Sequence, residues 1–422
     1  MLLEFSVGNH LSFRDRKTLS LEATNIKDYG ENNIISTSRR NLLSGAIIYG
    51  ANSSGKSNFI KAMATMRRLV LTTFSRSSVS ELDVIPFLLQ QGRSTEPSLF
   101  EAVFIIDSTR YRYGFEVNNT EVVSEWLFEA TKEKESPLFV RQRDGIEVMS
   151  GFKEGNDLEE RTRDNVLFLS LVDQFNGPTA TKILHWFKNF VVISGLTTSR
   201  YRRVTLSLLE NEQTKPLLQD FYKSSDLGFD DLIISTNATE DDLADEQTES
   251  VLRHYLQQKT VHKVYDTQNR YVGTTEFDMM DQESVGTNKV YNLSGPLFET
   301  LRNGGILVVD ELDSSLHPLL TLAITRLFNS KSSNPKGAQL IFATHDTNLL
   351  SYGKFRRDQI FFIEKDEYGS SDLYSLVEYR EEDSSVPPRN DRSFEKDYIQ
   401  GRYGAIPFIG GFQKFTEAWQ EK

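Results

Sequence analysis

Leu2–Val7 and Lys17–Ala23 carry alternating or continuous apolar residues, broken by the turn-prone Gly8-Asn9-His10 and Arg14-Asp15, a pattern that predicts short strands. Ala46-Ile47-Ile48-Tyr49 is a continuous apolar run that meets a glycine-rich turn at Gly50. Phe59, Ile60, Met63 and Met66 then fall at helical spacing, so a buried strand leads directly into a helix. Leu99–Ile106, Tyr111–Val117 and Val122–Glu129 are aromatic-rich with period two, and their short polar links predict an antiparallel meander. The texture changes between about residues 151 and 275, where Asn165–Leu171, Thr181–Val191 and Leu206–Tyr222 read as helical. Glu240, Asp241, Asp242, Asp245, Glu246 and Glu249 follow as a solvated acidic face. Residues 305–309 and 339–343 are unbroken apolar runs, the signature of parallel strands covered on both faces. A last strand pair, Gln359–Glu364 and Asp372–Glu378, precedes a polar segment at Ser384–Asp391. No heptad pattern persists, so no coiled-coil arm is predicted. The expected division is 1–150, a mainly helical insert at 151–275, and 276–422.

Composition narrows the chemistry. The 422 residues include no cysteine, which excludes disulfides, thiol nucleophiles and iron–sulfur clusters. With 38% apolar and 26% charged residues the chain is globular in character, and no run approaches the length of a bilayer span. The first residues lack the basic-then-apolar order of a signal peptide, so a cytoplasmic location is expected. Sixty acidic against 48 basic residues give a net charge of −12, which argues against bulk attraction to nucleic acid or anionic membrane. The densest basic cluster, Arg200 to Arg203, reads as a solvated loop.

Gly50-Ala51-Asn52-Ser53-Ser54-Gly55-Lys56-Ser57 matches G-x-x-x-x-G-K-[ST] in full, in the strand-to-helix context the motif requires. Gly50 and Gly55 let the loop bend so that amides, including those of Asn52, Ser53, Ser54 and Asn58, converge on phosphate oxygens. Lys56 would neutralise β- and γ-phosphate charge, and Ser57 would offer its hydroxyl to Mg²⁺. The expected cofactors are therefore ATP and Mg²⁺. Val308-Val309-Asp310-Glu311 ends a second apolar strand in two carboxylates. Asp310 is placed to hold Mg²⁺ and Glu311 to polarise the attacking water. His345, at the end of the next apolar run, is the candidate sensor of the γ-phosphate. Gln90 or Gln91 is a weaker candidate for a glutamine loop linked to Mg²⁺.

These three sites in this order resemble the ABC class of ATPases, in particular the two-lobed heads of RecF-like and chromosome-structure proteins. Leu312-Asp313-Ser314-Ser315-Leu316-His317-Pro318 looks like the D-loop of that class. Glu283-Ser284-Val285-Gly286-Thr287 occupies the place of the signature motif and keeps its S-x-G core without the full LSGGQ form. The stretch Leu2–Phe13, the run Val308–Leu320 and the tail Gln400-Gly401-Arg402-Tyr403-Gly404-Ala405-Ile406-Pro407 resemble the bacterial RloA/AbiLi/AriA-like anti-phage ATPases.

The resemblance implies an α/β P-loop NTPase of ABC type: a two-lobed head, a mixed sheet with an antiparallel β subdomain, and an inserted segment. It implies a homodimer or higher homo-oligomer in which Ser284 and Gly286 of one copy cap the nucleotide on Lys56 and Ser57 of another. It also implies a separate effector, of the Toprim nuclease kind, and a phage protein as trigger. No strand after Glu364 ends in D-x-D, so an internal nuclease of that kind is not expected. A DNA-clamping repair or chromosome-maintenance ATPase is the competing expectation, disfavoured by the charge. A third is a scaffold that binds ATP and turns it over slowly.

Overall fold

Five consecutive buried residues, Gly45–Tyr49, lie inside a six-stranded sheet of order Phe190–Ser194, Ile306–Asp310, Gln339–Ala343, Gly45–Tyr49, Ile360–Lys365, Ser371–Ser375. The Gly45–Tyr49 strand pairs in parallel with both neighbours, which accounts for its apolar residues on both faces. This computed structural model describes residues 1–29, 32–37, 39–132, 134–194, 201–236, 256–379 and 393–407. The acidic stretch Glu240–Glu249, Arg200 and the segment Ser384–Asp391 lie outside the described residues.

The chain divides into two units. The first comprises 1–193, 300–312 and 322–422 and holds the six-stranded sheet. It also holds a seven-stranded antiparallel sheet that contains the predicted meander as Ser98–Ile106, Thr109–Val117 and Val122–Ala130. The helix Lys56–Thr72 buries Phe59, Ile60, Met63, Met66, Leu69 and Val70 in the core of this unit. Phe59 meets Phe5 and Phe13 edge-on at 5.6 Å, fixing the helix against the first strand.

Residues expected in the insert share this core. Helices Phe168–Gln174 and Pro178–Lys188 contribute Phe168, Leu169, Ala180, Ile183 and Phe187 to the same cluster. The end of the second predicted helix is instead the strand Phe190–Ser194 of the nucleotide-binding sheet. Residues 151–193 thus belong to the first unit, and the boundary at 151 is corrected to about 194. An apolar helical stripe records burial and does not say which domain covers it.

His10 is 2% exposed and packs 4.9 Å from the Phe100 ring. Burial pulls its imidazole from 6.5 down to about 4, against the opposing Ile85 backbone. The folded state therefore holds His10 neutral, while the unfolded chain takes up a proton once the pH drops below its ordinary value. Its contribution is complete above pH 6.5 and drains as pH falls toward about 4, amounting to about 3 kcal/mol at most. His10→Leu is expected to flatten the pH dependence of the denaturation midpoint across that window. An unchanged slope would remove His10 from the acid response.

The second unit comprises 194–299 and 313–321. It carries helices Arg202–Glu210, Lys215–Ser224 and most of Val285–Asn303. It also carries an antiparallel sheet of Asp231–Thr236, Leu256–Tyr265 and Tyr271–Asp278. The expectation of a mainly helical insert is corrected accordingly. Leu256–Tyr265 carries Gln, Lys, Thr and His262 among its apolar residues, and Tyr271–Asp278 is largely exposed, so no apolar alternation marks these two strands.

Pro296 lies inside the Val285–Asn303 helix, where it cannot donate a backbone hydrogen bond. The Thr205 hydroxyl takes up the disturbed backbone, donating to the Tyr291 carbonyl (3.1 Å) and accepting from the Gly295 amide (3.1 Å). Arg202, from the basic cluster, is not a free loop residue: it lies beside Tyr291 and bonds Asn288 and Asn292.

Candidate functional site

The strand Gly45–Tyr49 ends in the loop 50–55, and the helix Lys56–Thr72 starts immediately after it. Gly55 caps the helix at φ 118°, and no side chain caps this end, so the first-turn amides point into the loop. A methyl group on Gly55 would fall 2.2 Å from Ser371 Oγ, and one on Gly50 2.3 Å from the Ile363 carbonyl. The loop is braced from behind. The Ser371 hydroxyl donates to the Ser54 carbonyl (2.6 Å) and lies 2.8 Å from Ser12 Oγ, which also accepts from Asn58 (2.9 Å). Asn52 and Ser53 stand exposed at the crest, while Ser54 and Lys56 are buried. The Lys56 ammonium donates to the carbonyls of Gly50 (2.7 Å) and Ala51 (3.0 Å), which holds it over its own loop.

Strand order brings the other predicted residues to the same end of the sheet. Ile306–Asp310 and Gly45–Tyr49 flank Gln339–Ala343, all parallel, so Asp310, Glu311 and His345 emerge beside the loop. The Leu312 amide donates to the Ala343 carbonyl (3.1 Å), tying the two strand ends together. Glu311 takes a left-handed backbone, φ 52°, where the chain turns off its strand. A cleft of about 300 Å³ is lined by residues 51–58 with Glu311, His345 and Lys365. Gln90 and Gln91 are exposed and do not line it.

The residues present fit a nucleotide triphosphate with a divalent cation. Asp310 Oδ1 and Ser54 Oγ are buried without a hydrogen-bond partner, and the close approach of Gly50 and Gly55 to the atoms behind them admits no side chain at either position. A hard cation takes oxygen ligands, and Ser57 and Asp310 are the residues that would supply them at the loop and the strand end.

In the second unit, Ser284 caps the helix Val285–Asn303 by accepting the Thr287 amide at 3.0 Å. Thr287 is buried, its hydroxyl 2.9 Å from Ser284 Oγ, so it serves the cap itself. Gly286 presses on the D-loop-like segment: a methyl there would fall 2.8 Å from the Ser315 carbonyl. Lys289 donates to the adjacent Ser314 carbonyl at 2.5 Å. These contacts lie wholly within the second unit.

Sequence reasoning missed Lys365, Ser12 and Ser371. Lys365 carries no local signal, because only the pairing of Ile360–Lys365 with Gly45–Tyr49 brings its strand beside the loop.

A nucleotide-binding α/β protein of the P-loop class is what this sheet order and loop define. Residues 46–351 match the family described as "AAA domain, putative AbiEii toxin, Type IV TA system", and the chain belongs to it. It is accordingly a P-loop ATPase of the AAA/ABC-like superfamily. Comparison with curated proteins gives no match. Among the described residues no helix is long and apolar enough to cross a membrane.

Proposed function

We propose that the chain is an ABC-type ATPase whose active site is completed by a second copy. In this reading Ser57 and Asp310 hold Mg²⁺, which when bound offsets charge on the β- and γ-phosphates. Lys56 and the first-turn amides of its helix bind the phosphates, Glu311 accepts the proton of the attacking water, and His345 contacts the γ-phosphate. Ser284 and Gly286 of the partner copy supply a second helix N-terminus on the opposite side of the nucleotide.

The observation that carries this reading is the seating of Gly286 on the Ser315 carbonyl beneath a capped helix end. A signature-like turn held on a D-loop-like segment is the arrangement that a nucleotide sandwiched between two heads requires. ATP then joins the heads and hydrolysis loosens them, a two-state element that a partner can bias. The biological role we infer is a sensor or scaffold in anti-phage abortive infection, governing a separate effector such as a Toprim-type nuclease. The family description, with its toxin of a type IV toxin–antitoxin system, supports that setting. A trigger of phage origin would act by shifting the head equilibrium.

Mixing two inactive variants tests the composite site. Ser284→Arg and Lys56→Ala are each expected to lack turnover. Their mixture should regain a fraction of wild-type activity, because the mixed pair contains one intact site. Wild-type turnover by Ser284→Arg alone, or no recovery on mixing, would overturn the shared site. Steeply salt-dependent duplex binding that stimulates turnover would instead favour a DNA clamp.

A further inference from the structure

The C-terminal motif Gln400–Pro407 takes no part in the site as described, yet it lies against the base of the phosphate loop. Gly401, Gly404 and Ala405 all have positive φ, at 77°, 66° and 56°, so the chain coils tightly there. The Glu364 carboxylate sits in that coil and accepts the Ala405 amide at 3.0 Å. A methyl on Gly404 would fall 2.4 Å from the same carboxylate, so the approach requires glycine. Glu364 follows Ile363, whose carbonyl is the atom pressed against Gly50. From the other side, the Tyr398 hydroxyl donates to the Ala405 carbonyl at 3.1 Å. The Tyr398 ring packs 5.5 Å from that of Tyr49, the last residue before Gly50, and 5.4 Å from Phe362. Tyr49 in turn donates to the Asp346 carbonyl at 3.0 Å, one residue after His345.

A closed circuit results, from Gly50 through Ile363 and Glu364 to Ala405, and back through Tyr398 to Tyr49. Further contacts hold the tail to itself and to the sheet: Tyr374 donates to the Tyr403 carbonyl at 2.6 Å, and Tyr403 to Asp397 at 3.1 Å. Burial pushes the Tyr398 hydroxyl up to about 12, with the Gly50 backbone opposing, which keeps it a neutral donor across the physiological range. None of these side chains lines the cleft, so their effect on nucleotide is indirect.

We propose that residues 394–407 form a strap that sets the phosphate loop for nucleotide, with Glu364 and Tyr398 as its positioning residues. The inference rests on the loop binding nucleotide. A loop whose base is clamped on both sides pays less ordering entropy when phosphate arrives, so releasing the clamp lowers affinity and leaves the chemical step alone.

The test uses the full chain and a fluorescent ATP analogue with Mg²⁺, alongside steady-state turnover and melting curves. Glu364→Ala and Tyr398→Phe are each expected to weaken nucleotide binding roughly fivefold to tenfold, the scale of a lost hydrogen bond. Turnover at saturating ATP should change less than about twofold, since no group touching the phosphates is altered. Glu364→Gln keeps an oxygen facing the Ala405 amide and should bind within about twofold of wild type. Wild-type affinity in both Glu364→Ala and Tyr398→Phe overturns the strap, as does a Glu364→Gln variant as weak as Glu364→Ala. If Glu364→Ala fails to fold, Tyr398→Phe alone decides. Wild type and Lys56→Ala are run in parallel. Nucleotide binding by wild type that Lys56→Ala abolishes secures the loop's role, so unaltered strap variants then count against the strap only.

Discussion

Lys56→Ala should abolish ATP turnover, lowering it by roughly two to three orders of magnitude, a loss comparable to that of one preorganised donor at a reacting centre. The ammonium is buried at the start of its helix and bonded to two carbonyls of its own loop, so its position is set before phosphate arrives. Nucleotide affinity should fall with turnover, since the charge acts on the bound phosphates as well as on the transition state. The melting temperature should fall as well, because the bond lost to the Gly50 carbonyl is buried, whereas the Ala51 carbonyl borders the cleft. Phosphate release and equilibrium nucleotide binding measure both effects. Turnover within tenfold of wild type would place the chemistry elsewhere.

Glu311→Gln should separate binding from chemistry. The amide keeps the size and hydrogen-bonding reach of the carboxylate and cannot take a proton at neutral pH. Turnover is expected to drop by roughly two to four orders of magnitude while ATP affinity holds. With hydrolysis blocked, ATP should accumulate the joined form, doubling the mass seen by light scattering. Unaltered turnover would disqualify Glu311 as the base. Lost turnover with a monomer at saturating ATP would instead count against the composite site.

The local part of the site was readable in the sequence, because one loop and one strand end each carry their own chemistry. Gly50 to Ser57 and Val308 to Glu311 are contiguous, and the parallel strands that carry them announce themselves as unbroken apolar runs. The antiparallel meander was equally plain, since its aromatic residues alternate with polar ones. What bracing the loop receives was not readable. Ser12, Ser371 and Lys365 reach it only through strand order, and a serine among 422 residues says nothing of which carbonyl it meets. The strands between 231 and 278 escaped notice for another reason. A sheet largely open to solvent on one side needs few apolar residues, so period two disappears into polar composition. The helices 168–188 were recognised as helices and assigned to the wrong unit, since their stripe is completed by the distant helix Lys56–Thr72.

The strand order also governs how the chain can be made. Gly45–Tyr49 leaves the ribosome well before its two neighbours, 339–343 and 360–365, which are translated roughly 290 to 310 residues later. At roughly 5–20 residues per second the nascent strand waits on the order of tens of seconds for its partners. During that interval Ala46, Ile47, Ile48 and Tyr49 have no sheet to enter, and their unpaired edges are adhesive. The same interleaving that brings Asp310 and His345 beside Lys56 leaves the newborn chain with an unpaired apolar strand until those distant neighbours are made. A message broken before residue 339 therefore yields an unclosed sheet, and the core of its ATPase unit is assembled last.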